Sequence, residues 1–209
     1  GQAVNPQDVA AALRARPRAK AVFATLCETS TGVVHDIQAI AALTRASPAV
    51  LVVDAISGLL ADDCATDAWG IDVVVTGSQK GLMLPPGLAF ITLSERAWAF
   101  VAQAKSPRCY TDLRLYQKAL ADDDTPFTSA VSTVVALEEA LKRILRVGVP
   151  QTIEQCAALA RATRAGVAAI GLRLFAARPS NGVTAVAVPS GVDGKQLTKL
   201  MYERSGVMV

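Results

Sequence analysis

Apolar residues in this chain fall into short unbroken runs separated by longer stretches with helical spacing. Residues 21–27, 49–54, 71–76 and 87–93 are runs of Val, Ile, Leu, Ala and Phe, and they predict buried strands, the second of them ending on an acid, Asp54. Helices are predicted over 7–16, where Pro17 ends the run, and over 36–45, where Ile37, Ile40, Ala41 and Leu43 gather largely on one side. Further helices are predicted over 94–104, 112–121 and 129–146. Val147-Gly-Val-Pro150 reads as a hinge-like turn. It is followed by a helix over 151–170, short apolar runs at 172–175 and 183–188 around a turn at Pro179-Ser-Asn-Gly182, and a helix from about 193 to 204.

Alternation of strand and helix, with strands that are apolar throughout, predicts an α/β fold: a mainly parallel sheet covered on both faces, in three α/β/α layers. Residues 1–147 read as one unit and 148–209 as part of a smaller α+β unit. In open sheets of this kind the ligand lies beyond the carboxyl ends of the strands. Three polar clusters follow strand ends here, at Glu28–Gly32, at Asp54 and at Gly77–Lys80, and they are expected to meet on one edge.

Composition narrows the function classes. Hydrophobic residues are 52% and charged residues 19% of the chain, enough to bury a core and too apolar for a disordered segment. The net charge is +3, and the densest basic stretch, Arg14 to Lys20, has no interleaved aromatics, so it reads as a solvated helix end and no nucleic-acid partner is expected. Cys27, Cys64, Cys109 and Cys156 are far apart, and His35 is the only histidine, so neither a disulfide framework nor a metal site is expected. Asp62-Asp63 and Asp122–Asp124 read as loop ends or helix starts rather than metal ligands. No apolar run reaches spanning length and no leader precedes the first helix, so the expectation is a cytoplasmic protein with reduced thiols and no membrane partner. Gly1 in place of Met, and the apolar Val207-Met-Val209 at the end, suggest a fragment.

The chemistry concentrates in Thr76-Gly-Ser-Gln-Lys80-Gly-Leu-Met-Leu-Pro-Pro-Gly87. A lysine directly after a buried strand is expected at the mouth of the sheet, partly desolvated, where its amine can attack a carbonyl. Asp54 ends the neighbouring Val-rich strand, placed to keep the ring nitrogen of a pyridine cofactor protonated. Taken alone, Lys80 also reads as a surface lysine and Asp54 as a cap or an ion-pair partner.

Glu28-Thr-Ser-Thr-Gly32, Val-Asp54-Ala-Ile-Ser-Gly58 and Gly70-Ile-Asp-Val-Val-Val-Thr-Gly-Ser-Gln-Lys80, with Pro-Pro-Gly87 beyond, resemble in order and spacing the class V, fold-type I aminotransferases, nearest the alanine–glyoxylate and serine–glyoxylate group. The resemblance runs from about residue 21 to 146 and more weakly beyond. It implies pyridoxal 5'-phosphate as cofactor, Lys80 as the Schiff-base lysine and proton carrier, and Asp54 at the ring nitrogen. It further implies Gln79 at the phosphate, Thr29 near the 3-oxygen, Ile56 against a ring face, and Thr128 reaching the phosphate of a neighbouring subunit in a homodimer. The substrates implied are a small amino acid, serine or alanine, and a 2-oxo acid, glyoxylate or pyruvate. The family's glycine-rich phosphate turn, its stacking aromatic ring and its carboxylate-binding arginine have no counterpart in residues 1–209.

Other readings stay open. Cysteine desulfurases and lyases of the same class share the cofactor, but desulfurases typically carry a histidine where Gln79 stands and a nucleophilic cysteine on a mobile loop. A folded or dimerising module without catalysis is the third reading. His35 reads as a cap or a solvent-facing residue. Ser57-Gly58 and Ser190-Gly191 lack the context of a serine-hydrolase nucleophile.

Overall fold

The structure, a computed structural model, describes residues 1–208. In chain order the elements are α1 (Pro6–Ala15), β1 (Ala21–Thr25), β2 (Cys27–Glu28), β3 (Val33–Val34), α2 (Ile37–Arg45), β4 (Val50–Asp54), α3 (Thr66–Trp69), β5 (Val73–Gly77) and β6 (Ala89–Leu93). They continue with α4 (Glu95–Gln103), α5 (Leu113–Ala121), α6 (Val131–Val147), α7 (Val149–Ala169), β7 (Arg173–Leu174), β8 (Val186–Ala187) and α8 (Gly194–Ser205).

The central sheet has the order β1-β4-β5-β6. β1 and β5 run parallel to β4, one on each side of it, whereas β6 returns antiparallel to β5. The β5–β6 connection carries no helix, and a parallel return needs a crossover, so the direction of β6 follows from the short link. Several helices start as their sequences dictate. The Asn5 side chain accepts the Gln7 N–H at the start of α1, with Pro6 at the first position, where no N–H is needed. Asp36 and Ser94 likewise accept the N–H groups of Ala39 and Ala97 to start α2 and α4.

The main core lies on one face of the sheet. Leu51 and Val53 of β4 and Val74 of β5 pack with Leu26, Ile37, Ile40 and Ala41, and Val9 of α1 and Trp69 of α3 join its edge. Each such large side chain contributes about 1.5–3 kcal/mol on burial. The sheet's other face, carrying Phe23, Val52, Val75 and Ile91, is open: Phe23 is 79% exposed. This half of the expected covering is absent among the described residues. A second cluster, Leu60, Leu82 and Ile144 with Leu84, Phe90 and Leu137, packs α6 behind the loop that follows β5.

The chain then reaches back to the sheet. Ser180 and Asn181 dock on the loop after β4: Asp62 accepts hydrogen bonds from the Ser180 hydroxyl and, at 3.0 Å, from the Asn181 N–H. Ser180 N–H donates to Gly32 O, and Val34 N–H to Arg178 O. Asp62, which reads in sequence as a loop end, is thus a buried tether for a segment 118 residues downstream.

Candidate active site at the carboxyl ends of the strands

The geometry of the parallel strands places the site. Asp54 ends β4 between Thr25 of β1 and Val75 of β5. Leu26 N–H donates to Asp54 O at 2.8 Å and Ala55 N–H to Val75 O at 2.9 Å, so the backbone on both sides of the acid is held by neighbouring strands. One carboxylate oxygen, Oδ1, accepts the Ile56 N–H at 2.9 Å and shapes the turn that follows. The other, Oδ2, accepts no hydrogen bond among the described residues.

The polar ends meet as the sequence predicts, in a cleft of about 330 Å³. Thr25, Cys27, Glu28 and Thr29 line it from the end of β1 and the β2–β3 hairpin; Asp54, Ile56 and Ser57 line it from β4 and its turn; Lys80 closes it from the loop after β5. The hairpin is itself held by Glu28, whose side chain accepts the Ser30 N–H at 3.0 Å and the Ser30 hydroxyl at 2.7 Å. Those two hydrogen bonds hold the Glu28 carboxyl below its ordinary pKa.

Lys80 is exposed at the rim, rather than partly sunk in the mouth of the sheet as its sequence position suggests, and its amine makes no ion pair among the described residues. Its backbone is nevertheless fixed. Ser78, fully buried, donates its hydroxyl to Pro85 O at 2.7 Å and accepts the Leu88 N–H at 3.2 Å, while its own N–H donates to Leu88 O at 3.0 Å. Met83 N–H closes a turn onto Lys80 O at 2.8 Å. At Gly81 a Cβ would stand 2.1 Å from Leu59 O, so only glycine lets this loop lie against the turn after β4.

Thr29, Asp54, Ile56 and Lys80 therefore share one cleft, and Gln79 and Thr128 do not line it. Gln79 is exposed, its side chain turned back over Gly77. Thr128 is exposed in a segment fastened by the Thr125 hydroxyl, which bonds Phe127 O and the Ser129 hydroxyl. Glu28 lies in the polar cluster expected at this edge, whereas Cys27 and Ser57 are unremarkable in sequence until the loops converge. Cys27 is 2% exposed, and burial, together with the charges of Asp62 and Glu28, raises its thiol pKa. Such a thiol is the opposite of an activated nucleophile. His35 does not line the cleft: it is partly exposed, its Nδ1 accepts the Val4 N–H at 3.0 Å, and burial lowers its pKa, which favours the neutral ring in that role.

The description Aminotransferase class-V matches residues 1–209, the whole chain. The chain belongs to the class-V aminotransferase family. Among proteins similar to it, the small subunit of the soluble hydrogenase of Synechococcus sp. (strain PCC 6716) is 42% identical over 210 residues, covering 98% of this chain and 54% of that protein. The L-aspartate–glyoxylate aminotransferase of Paracoccus denitrificans is 40% identical over 189 residues, 88% of this chain and 48% of that protein. The crystal structure of pyridoxamine–pyruvate aminotransferase from Mesorhizobium loti superposes with a TM-score of 0.92 at 37% identity, covering 99% of this chain and 54% of that one. The chain spans about half the length of the curated relatives it matches. The fold is the family's: a mixed sheet with a parallel core, flanked by helices.

Proposed function

We propose that this chain carries the cofactor-lysine half of a pyridoxal-phosphate-dependent aminotransferase, which moves an amino group between a small amino acid, serine or alanine, and a 2-oxo acid, glyoxylate or pyruvate. The observation that carries the reading is the pairing of Asp54 and Lys80: an acid with a free oxygen and an amine without an ion-pair partner line one cleft from the ends of adjacent strands. That donor set fits a pyridine ring with an aldehyde: a carboxylate for the ring nitrogen, an amine for the carbonyl, and Ile56 as an apolar wall beside them.

Pyridoxal phosphate, when bound, supplies an electron sink for charge developing at the substrate Cα. The remaining tasks fall to side chains. Asp54 Oδ2 would hold a proton on the ring nitrogen while Oδ1 accepts the Ile56 N–H, which orients the carboxylate. Lys80 Nζ would serve as the acid–base group that takes up and gives back the proton released from the substrate Cα. Its exposed position leaves the stem room for that travel, while the Ser78 staple fixes the Cα from which it swings. Thr29 serves the ring oxygen, and Gln79 the phosphate. In a cytoplasmic homodimer Thr128 reaches the partner's phosphate, which accords with its place away from its own chain's cleft. Residues 1–147 form the cofactor-binding unit and 148–209 belong to the smaller one. Among the described residues no helix is long and apolar enough to cross a membrane.

The thiol that lines the cleft, Cys27, is buried with a raised pKa and so does not supply the mobile thiolate that desulfuration requires. The deciding experiment is an absorbance spectrum of the chain with pyridoxal phosphate beside Lys80→Ala. A borohydride-trappable visible band in the parent alone is expected, the trapped mass mapping to Lys80. An equal trapped mass in Lys80→Ala rejects the assignment.

A further inference from the structure

Thr29 and Ser57 belong to different loops, 28 residues apart, yet their hydroxyl oxygens lie 2.6 Å from each other on the cleft wall. Neither hydroxyl has another hydrogen-bond partner among the described residues. Each carries a single proton, and one of the two is spent within the pair. The other has no acceptor on the protein and is free for a group in the cleft. The pair therefore acts as one donor, and a hydroxyl that is itself accepting a hydrogen bond donates more strongly. Thr29 is the exposed member and Ser57 the half-buried one, which makes Thr29 the outer oxygen.

Ser57 also sits in the turn shaped by Asp54, where Ile56 N–H meets Asp54 Oδ1 and Gly58 N–H meets Ala55 O. It thereby fixes the Thr29 hairpin with respect to the acid.

We infer that Ser57 is a positioning residue: it donates to Thr29 and turns the Thr29 proton toward an anionic ring oxygen of the cofactor. This rests on the pyridoxal phosphate reading above. The ring oxygen carries its fullest negative charge once the proton it shares with the neighbouring nitrogen is lost, so a strong donor favours that loss. Removing Ser57 weakens the donor and moves the loss to higher pH.

The test is a pH titration of the visible band of the full chain with pyridoxal phosphate, in the parent, Ser57→Ala, Ser57→Thr, Thr29→Ala and the Thr29→Ala/Ser57→Ala pair, folding being checked by circular dichroism. Thr29→Ala is expected to raise the midpoint by about one pH unit, the scale of a hydrogen bond to a charged group, and Ser57→Ala by about 0.2–0.3 unit in the same direction, the cooperative share of that bond. Ser57→Thr, which keeps the hydroxyl, restores the parent value, and the double variant matches Thr29→Ala alone. A Ser57→Ala midpoint equal to the parent's overturns the inference. So does a Ser57→Thr shift as large as that of Ser57→Ala, which would make the effect one of packing. A parent without any band overturns the cofactor reading and this inference with it.

Discussion

Arg96 meets Asp72 side-on, Nε 2.9 Å from Oδ1 and Nη2 2.6 Å from Oδ2, at the end of the sheet opposite Lys80. The same carboxylate accepts the Leu51 N–H and the Ser94 hydroxyl, and Arg96 reaches on to Ala49 O at 2.9 Å. One ion pair thus binds the starts of β4, β5 and α4. Burial pushes the Asp72 carboxyl up in pKa, but hydrogen bonds from Arg96, Leu51 and Ser94 outweigh it and leave the group below the ordinary range. A carboxylate lowered on folding stabilises fully above its unfolded pKa, about 4, and loses that contribution as pH falls through its folded value. Arg96→Ala is expected to cost about 3 kcal/mol at pH 7, since it strands a buried charge; Arg96 is itself one-third exposed, which sets the cost at the low end for such pairs. Urea unfolding checks this. The stability gap between the parent and Asp72→Asn should narrow as pH is lowered from 7 to 3, and a gap independent of pH would contradict the assignment.

Gly81 offers a steric test of the Lys80 loop. A methyl group there meets Leu59 O, which is backbone and cannot rotate aside. Gly81→Ala is expected to cost about 1–3 kcal/mol, the range for overpacking, and to displace the loop that carries Lys80. A thermal melt reports the first effect, and reductive trapping of pyridoxal phosphate at Lys80 the second. An alanine variant with unchanged melting and trapping would show that the two loops do not touch as described.

The cysteines should separate by reactivity. Cys109 is exposed, whereas Cys27 is buried with a raised pKa. Brief treatment of the native chain with a thiol-alkylating reagent near pH 8 is expected to label Cys109 and spare Cys27, as read by peptide mass mapping. Rapid labelling of Cys27 would contradict its burial and reopen the desulfurase reading.

β4 and β5 were plain in the sequence because unbroken Val-rich runs suit strands with neighbours on each side. β6 was equally plain as a strand, but its direction was legible only in the missing helix before it. The two-residue strands β2 and β3 lie in and beside a polar run, and the four-residue α3 has no side-chain cap, so neither has a periodicity to read. At the site, Asp54 and Lys80 stood out because charge at the end of an apolar strand is conspicuous. Ser57 did not, since its meaning depends on a hairpin that folds back from 28 residues earlier. The tethering role of Asp62 is hidden for the same reason: its partners are Ser180 and Asn181, and no local pattern announces them.

Asp54 pairs with Thr25 on one side and Val75 on the other. To slide it along the cleft by one residue, two strand registers would have to slip together, and every side chain of β4 would change faces. The acid is therefore the fixed datum of the site. Room for variation lies instead at the exposed Pro86-Gly87 corner of the lysine loop, so the surroundings of the cleft can change while its anchoring point stays put.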